Sequence, residues 1–515
     1  MSGLGRFGRT PWPAPMHSAA NHGLIGELVG AINPHTEADP NALTLSLLTA
    51  AGSALGRDVG AQAEGDRHGP NLYLAIVGES SKSRKGTTQG RAREVIERAE
   101  PAFAKRITGG LSSGEGLVWQ VRDPILKRRK PRTAAEREQT DADGYVTDLE
   151  DEGIEDKRLL IFEGELAQTL RVMRRESNTL SAVLRNLWDR GDVASLTKGS
   201  PATTTGAHVS LIGHITADEL RRELTATDSS NGFANRFVWC CARRSKILPD
   251  GGALNPADLR RPCNDLAMAI TAAKVGGVLE RDGEARDLWH AVYESLSDGR
   301  SGLLGDVTSR GEAQVLRLSV IYAALDCAPR VKVQHLQAAL AVWDYCERSA
   351  AYIFGDALGD SVADRIREAL ASEEDGLSRT AIRDLFNKHQ PADRIDAALS
   401  LLSDRGVAVS EQIPTAGRPA VRWRLADGDG EIVERPDWTR HLQDCDQSDI
   451  SALSPRAVIA ANRAACEGEA ERAHAALTPN GNGNGHTCNC DRPIDDDGRC
   501  AKCGHRMPGT LEPTS

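Results

Sequence analysis

The chain has 515 residues, of which 40% are hydrophobic and 26% charged, and a formal net charge of −10. That length allows roughly three or four domains with a sizeable core, and the acidic balance excludes a protein that attracts nucleic acid over its whole surface, leaving local basic patches for such contacts. No run reaches membrane-spanning length, the opening "MSGLGRFGRTPWPAPMHSAA" lacks a secretory signal core, and the 11 cysteines, mostly scattered and odd in number, fit a reducing cytoplasm and not a disulfide framework.

Residues 1–60 read as an N-terminal helical region. Leu24, Leu28, Leu43, Leu47, Leu48 and Leu55 supply its apolar positions, and Asn33-Pro34 and Asp39-Pro40 interrupt it. Residues 61–250 alternate short apolar strands with helices, the pattern of an α/β layer. Within it "NLYLAIV" ends in a buried strand over Leu72 to Val77. "GESSKSRKGTTQG" (Gly78 to Gly90) follows, and then a helix with Ala92, Val95, Ile96 and Ala99 on one side. Strand, small-residue loop and helix is the context of a phosphate-binding loop. The expected nucleotide-binding set is Gly78, Lys85, Gly86, Thr87 and Thr88. Loop amides and free amides at the helix start hold phosphate oxygens, Lys85 reaches a terminal phosphate, and Thr87 or Thr88 places a hydroxyl on magnesium. The standard spacing G-x-x-x-x-G-K-[ST] is not met: the lysine comes about one residue late and the glycine before it is missing. Lys82 offers a competing register, and a surface turn with scattered basic residues is the plain alternative.

An insertion near 127–156 interrupts the layer. "KRRKPR" is followed by an acidic run, which reads as a solvated hairpin or loop whose basic half is able to touch a nucleic-acid backbone. "KRLLIFEGELAQTL" then gives a strand over Leu159 to Phe162 that ends on Glu163, with Glu165 two residues on. A nucleotide hydrolase needs such strand-end carboxylates. Glu163 is expected at magnesium or its water shell and Glu165 at the attacking water, although the two roles are exchangeable. The next strand, "AHVSLIGHIT", ends with His214 and Thr216 beside the same edge, where His214 would sense a γ-phosphate or serve as a structural histidine. Arg236, in "NGFANRFVW", is the arginine chosen to neutralise developing phosphate charge, in its own subunit or a neighbour, with Arg243 and Arg244 as alternatives. Between these elements, Arg171, Arg174, Arg175, Arg185 and Lys198 lie on an amphipathic helix pair or face a channel.

Residues 251–356 form a helical domain in which Trp343 and Tyr345 are packing residues. Residues 360–426 read as three helices and a β-hairpin, a winged-helix-like domain. Its third helix, "PADRIDAALSLLSDRG", has Arg394 as its only basic residue before Arg405, so protein contact competes with DNA reading. Residues 427–485 contain an acidic segment, a helix over 455–476 and the flexible linker "TPNGNGNG". Residues 486–505 carry Cys488, Cys490, Cys500 and Cys503 as C-x-C-x9-C-x2-C, a donor set suited to a structural Zn2+, with His486 or His505 able to replace one cysteine.

Taken in order, "NLYLAIVGESSKSRKGTT", "GLSSGEGLVWQVRD", "KRLLIFEGELAQTLRVMRRESNTLSAVLRNLWD", "HVSLIGHITADELRREL", "NGFANRFVW" and "AQVLRLSVIYAALD" resemble a RecA-like P-loop domain family of formally unknown function found in bacteria, phages and mobile elements. Its members are similar to primase-associated and plasmid-replication helicase proteins. The resemblance covers about residues 20–355. It implies ATP at Lys85 and Thr87, Glu163 at the acidic strand end and Arg236 in the "NRF" block. The expected fold is therefore an α/β, RecA-like P-loop NTPase core with helical flanks, a winged-helix-like domain and a C-terminal zinc knuckle. The expected function is an ATP-dependent DNA-processing motor, helicase-like, cytoplasmic and homo-oligomeric, with ATP, Mg2+ and Zn2+ as cofactors. Its expected partners are single- or double-stranded DNA and a primase or replication-initiation protein. A DNA-binding regulator and an ATP-regulated assembly protein without unwinding are the alternatives.

Overall fold

Helix α1 (Gly23–Ile32) stops where Asn33-Pro34 removes a donor, and α2 (Pro40–Leu55) starts with proline in its first turn, where no partner for the missing N–H is needed. The Asp39 carboxylate caps α2 by accepting from the Asn41 N–H at 2.9 Å. The chain then runs through β1 (Tyr73–Val77), α3 (Lys85–Ala99), β2 (Ile107–Thr108), β3 (Ile125–Arg129), β4 (Val146–Asp151), β5 (Arg158–Glu163), α4 (Leu166–Met173), α5 (Leu180–Asp189), β6 (His208–Ile215), α6 (Ala217–Glu223) and β7 (Phe237–Cys241). The principal helices that follow are α7 (Arg260–Ala273), α8 (Gly283–Ser297), α9 (Gly311–Leu325) and α10 (Val333–Phe354). A smaller unit contains α11 (Ser361–Ala371), β8 (Leu377–Ser378), α12 (Arg379–Asp384), α13 (Ala392–Asp404), β9 (Ala408–Ile413) and β10 (Ala420–Leu425). This is a computed structural model that describes residues 11–442 apart from 79–82, 195–201, 225–227, 229–230, 299–301, 356–359, 374, 388, 405, 414–419 and 427–437. The chain divides into two units, Met1–Asn462 and Arg463–Ser515, and the second lies wholly outside the described residues. The expected helix at 455–476, the glycine–asparagine linker and the four cysteines of the zinc expectation lie there too or just before it.

The centre is a parallel sheet in the order β7-β1-β6-β5-β2. Its strands are apolar on both faces because both are covered by helices. Leu74, Ile76, Leu160, Phe162, Ile212, Val238 and Cys240 face one core, shared with α1, α2, α3, α7, α9 and α10. Tyr73, Ala75, Val77, Leu159, Ile161, Leu211, Phe237 and Trp239 face a second core, formed with α4, α5 and the end of α10. Each fully buried aliphatic or aromatic side chain of this kind contributes about 1.5–3 kcal/mol, so the sheet position is strongly fixed. Trp343 and Tyr345 are both buried, and the Tyr345 hydroxyl donates to the Cys241 carbonyl at 2.6 Å, tying α10 to the end of β7.

Chain direction follows from this order. After β1 the chain moves to the edge strand β2, returns through β5 and β6, and then crosses to the far side of β1 as β7. The direction of travel reverses around β1. In open parallel sheets the crevice outside the strand C-termini at such a reversal is where ligands bind. Residues that follow β1, β5, β6 and β7 therefore share one edge of the sheet, and residues that precede them share the opposite edge.

The insertion is a hairpin of β3 and β4 with a short helix, Ala134–Glu138, between them. Its charge run is largely neutralised internally. Lys127 pairs with Glu150 at 3.3 Å, Arg128 with Asp141 at 2.6 Å, and Arg129 with Glu136 at 2.7 Å and with Asp148. The expected solvated hairpin is observed, and the acidic run that follows turns back onto Lys127, Arg128 and Arg129.

The smaller unit has three helices and an antiparallel sheet in the order β8-β10-β9 around its own core of Val362, Ile366, Leu370, Ile382, Ile395, Leu399 and Leu402. After it the chain returns to α10. Trp438 is buried there, and its indole N–H donates to the Glu347 carboxylate at 2.9 Å. Among the described residues no helix is long and apolar enough to cross a membrane.

Candidate functional site

The C-terminal edge of the sheet is built from the loop after β1. The Gly78 N–H donates to the Ile215 carbonyl at 3.2 Å, and the Ala242 N–H donates to the Val77 carbonyl at 2.8 Å, so the exits of β1, β6 and β7 are joined. Gly78 has no room for a side chain: a Cβ would lie 2.4 Å from the Ser83 hydroxyl and 2.9 Å from the Ala242 carbonyl. Residues 79–82 lie outside the described residues, Lys82 of the competing register among them. Helix α3 begins at Lys85 itself, and the half-buried ammonium donates to the Gly78 carbonyl at 3.3 Å. Its pKa is pushed down by burial, an effect that Glu219 opposes.

Arg84, directly before Lys85, occupies the left-handed region with φ +56. A non-glycine residue there costs roughly 1–2 kcal/mol. Its guanidinium meets the Glu37 carboxylate at 2.7 Å, and Glu37 is itself fixed by the Leu248 N–H at 2.7 Å and by Arg244. These partners, the Leu248 amide first, hold the Glu37 carboxyl at about 2. An ion pair to a residue more than forty positions earlier thus supports a conformation that glycine adopts freely. Gly86 is exposed, and a Cβ there would meet nothing within 4 Å. Thr87 is half-buried at the helix start, whereas the Thr88 hydroxyl is buried and donates back to the Lys85 carbonyl at 2.6 Å. Of the two threonines expected near magnesium, Thr88 is engaged in its own helix, which leaves Thr87.

His214, the penultimate residue of β6, is buried and lies one strand from β1, beside Ile76. Among the described residues its Nε2 has no hydrogen-bond partner. Burial pushes its pKa down to about 4, and the Lys85 charge pushes in the same direction. The imidazole is therefore neutral near pH 7 and carries an unspent polar atom beside a cation. An unpaired buried group of this kind costs about 1–3 kcal/mol unless something pairs with it. Thr216 caps α6 and shares a reciprocal hydrogen-bond pair with Glu219, whose carboxylate accepts from the Thr216 hydroxyl at 2.8 Å and N–H at 3.1 Å. The T-x-x-E spacing announces this capping box, yet it places an acidic group near Lys85 that sequence reasoning did not assign.

Glu163 ends β5 as expected and is buried. Its Oε1 accepts from the Gly110 N–H at 2.7 Å and the Leu111 N–H at 2.8 Å, both in the loop that leaves β2. Glu163 is separated from β1 by the single strand β6, roughly 10 Å across the sheet, and one carboxylate oxygen remains for a cation or its water. Glu165 is exposed just before α4. Gly78, Lys85, Thr87, His214 and Glu163 thus share one edge, with Glu165 at the start of the helix beyond it.

Arg236 does not share it. The expectation that it acts on phosphate within its own subunit is corrected by strand direction. Arg236 precedes β7, whose first residue pairs with Tyr73, the first residue of β1. It therefore lies about 16 Å below the level of Val77, at the opposite end of the sheet. It is buried and paired with Asp189 at 2.5 Å. The alternatives Arg243 and Arg244 do follow β7. The Arg243 N–H donates to Asp39 at 3.1 Å and its exposed guanidinium lies 5.1 Å from the Trp12 ring, while Arg244 is held by Glu37.

The channel candidates divide. Arg185 donates to the Asn231 carbonyl at 2.9 Å, and Lys198 lies outside the described residues. Arg171, Arg174 and Arg222 surround the buried carboxylate of Glu223 at 3.9, 3.1 and 3.1 Å, and Arg175 is exposed nearby in sequence. One carboxylate cannot neutralise three guanidiniums, so surplus positive charge remains on partly exposed groups at the ends of α4 and α6. These two helices start at the strand ends that carry Glu163 and His214.

A second cluster, unforeseen from sequence, joins His22, Asp326 and His335, whose ligand atoms lie within 4.8 Å of one another. Its geometry is that of hydrogen bonding. The His335 Nδ1 accepts from the Lys332 N–H at 3.0 Å, which places the ring proton on Nε2, and that atom meets the Asp326 carboxylate at 3.1 Å. A metal would need the same Nε2 without its proton, and second-shell partners of ligating histidines normally accept from the far nitrogen instead of donating to it. The cluster is a clamp between α1, α9 and α10.

No family model matches the chain, and no curated protein matches it.

Proposed function

We propose that this chain is a P-loop ATPase of RecA-like type that works as a DNA-processing motor. The observation that carries the reading is the buried, unpartnered Nε2 of His214 beside Lys85, in the crevice outside the strand ends. An oxyanion in that crevice would meet Lys85, the amides at the start of α3 and His214 together. Its negative charge would raise the pKa of His214 and restore the charge that burial disfavours on Lys85. Lys85 and Gly78 would bind phosphate oxygens, Thr87 and one oxygen of Glu163 would hold Mg2+ or its water, and Glu165 would orient the attacking water. Bound ATP supplies the transferable phosphoryl group; the residues described here bind, orient and shield it.

The DNA partner rests on the surplus charge around Glu223. Polyanion contact at Arg171, Arg174 and Arg222 would pull on two helices that begin beside Glu163 and His214, which gives DNA a route to the ATP site. The smaller unit supports the motor over the DNA-binding regulator. We read it as a winged helix, yet the exposed positions of α13 include Asp393, Asp396 and Asp404, while Arg394 pairs with Asp360 at 2.7 Å and Arg379 with Asp396. An acidic third helix repels a phosphate backbone, so this unit suits a protein partner such as a primase or initiation protein. The zinc knuckle is carried by the spacing of Cys488, Cys490, Cys500 and Cys503, and homo-oligomerisation by the family resemblance.

The test is steady-state ATP hydrolysis by the full chain, with and without single-stranded DNA. Magnesium-dependent turnover that DNA stimulates, and that Lys85→Ala removes, supports the motor. Equal turnover in Lys85→Ala protein overturns the site. Turnover indifferent to DNA favours the assembly-protein alternative.

A further inference from the structure

The opposite end of the sheet holds a second concentration of cations, and the proposed ATPase does not use it. Three guanidiniums surround the indole of Trp188, the penultimate residue of α5: Arg317 at 3.7 Å, Arg310 at 5.3 Å and Arg236 at 5.6 Å from the ring centroid. A fourth, Arg57, donates to the Asp189 carbonyl at 3.0 Å. Part of this set caps α5. Arg317 donates to the Trp188 carbonyl at 2.8 Å and Arg57 to the next, which satisfies the negative end of the helix.

Capping does not account for the rest. Of the four arginines only Arg236 and Arg310 form ion pairs among the described residues, and both use Asp189, at 2.5 and 3.4 Å. Several buried donors there have no acceptor among the described residues: the Nε of Arg236, the Nε of Arg317, Nη1 of Arg57 and the indole N–H of Trp188. Arg317 and Arg236 are each more than nine-tenths buried. Other carboxylates act only from further away, Asp192 on Arg57 and Asp66 and Glu312 on Arg310. Burial leads the causes that lower the pKa of Arg57, Arg310 and Arg317, the last to about 9, and neighbouring guanidiniums add to it in each case. Native interiors pair such groups, so the cluster is short of negative charge.

We propose that this end of the sheet is a binding site for a small tetrahedral oxyanion of the phosphoryl class, held in the fork of Arg236 and Arg310 where Asp189 now stands. Planar guanidiniums match carboxylate and phosphate oxygens equally well, so the Asp189 carboxylate marks the ligand position. The side chains of Arg310 and Asp189 are 34% and 31% exposed, which opens the fork to solvent on one side. The source of that oxyanion is free inorganic phosphate or the phosphoryl end of a nucleotide. The proposal does not depend on ATP binding at Lys85, because the two ends are separated by the length of the strands.

The test measures the thermal unfolding midpoint of the full chain against inorganic phosphate, with chloride balancing ionic strength. The expected result is a saturable rise. Measured in the Lys85→Ala background, which removes the proposed ATP site's own phosphate contact, Arg310→Gln should abolish the rise while leaving the midpoint in chloride close to that of the Lys85→Ala chain, since Arg310 is partly exposed. Asp189→Asn, which removes the competing carboxylate, should saturate at roughly fivefold lower phosphate. Lys85→Ala should keep a saturable phosphate response, and ADP added to that variant distinguishes the sources: a rise with ADP at lower concentration than phosphate assigns the site to nucleotides, and a rise with phosphate alone assigns it to the free ion. No rise with either anion in the Lys85→Ala chain, or a rise there that survives Arg310→Gln, overturns the proposal.

Discussion

The two ends of the central sheet answer the same electrostatic problem differently. At the C-terminal end Lys85 stands half-buried beside a neutral histidine, among glycines, with Glu163 pinned one strand away by two amides. At the N-terminal end four arginines crowd one tryptophan and one aspartate. The first arrangement is sparse and, among the described residues, leaves the His214 Nε2 without a partner; the second is dense, and its arginines are held by helix carbonyls and by Asp189. The two ends therefore differ in more than the amount of buried positive charge. What separates the ends is chain polarity: amides at a helix start point into the first, and helix carbonyls point into the second.

The largest effect that would sharpen this contrast is on stability. Trp188→Ala removes the surface on which three guanidiniums pack and opens a large void, which should destabilise the chain by about 3–5 kcal/mol, read by denaturant unfolding. A loss under 1 kcal/mol would mean that the cluster is not an organising centre. Glu163→Ala should come next. It leaves the Gly110 and Leu111 N–H groups without their acceptor, and because Leu111 is half-buried and Gly110 exposed the loss should be about 1–2 kcal/mol in all. Glu163→Gln keeps an acceptor and should recover most of that stability while weakening magnesium-dependent ATP binding. Equal stability losses in both variants would break the assignment of two jobs to this carboxylate.

Acid should act through buried histidines on both ends. Burial holds His214 at about 4 and His208 at about 3, against 6.5 for a free histidine. Both pKa values are depressed in the fold, so the unfolded chain takes up protons that the folded chain refuses. Their contribution is fully present above about pH 6.5 and is lost as pH falls towards 4, by roughly 1.4 kcal/mol per pH unit for each group. His214→Asn should flatten the fall in unfolding free energy between pH 6.5 and 4.5; an unchanged slope would show that His214 is not the neutral, desolvated group described. The smallest effect is expected from Arg84→Gly. It relieves the left-handed backbone but gives up the ion pair to Glu37, so the stability change should stay within about 1 kcal/mol. A loss above 2 kcal/mol would mean that Glu37 anchors the loop more strongly than a partly exposed pair allows.

Much of the C-terminal edge was legible because apolar runs stop abruptly on informative residues. "NLYLAIV" ends on glycine, "LLIF" ends on glutamate and "VSLIGHI" ends with histidine, and a parallel sheet brings such ends together whatever its exact register. The misplacement of Arg236 was avoidable. It precedes "FVWCC", and in a parallel sheet a residue before a strand cannot share an edge with residues that follow one. The charge run of the insertion was a different case, since its neutralisation depends on the β3–β4 register, which composition does not reveal. Three-dimensional pairing alone shows the clamp between His22 and Asp326, 304 positions apart. The Glu37 support of Arg84 was also hidden, because nothing local to Glu37 distinguishes it from any exposed glutamate.

The most direct test of the central claim is equilibrium binding of ATP with Mg2+ to the parent chain, to Lys85→Ala and to His214→Asn. If the C-terminal edge is the nucleotide site, the parent binds, Lys85→Ala weakens binding by about 10- to 100-fold, and His214→Asn weakens it less, with the unfolding midpoint in the absence of nucleotide unchanged for Lys85→Ala. Equal affinity in all three proteins would contradict the account.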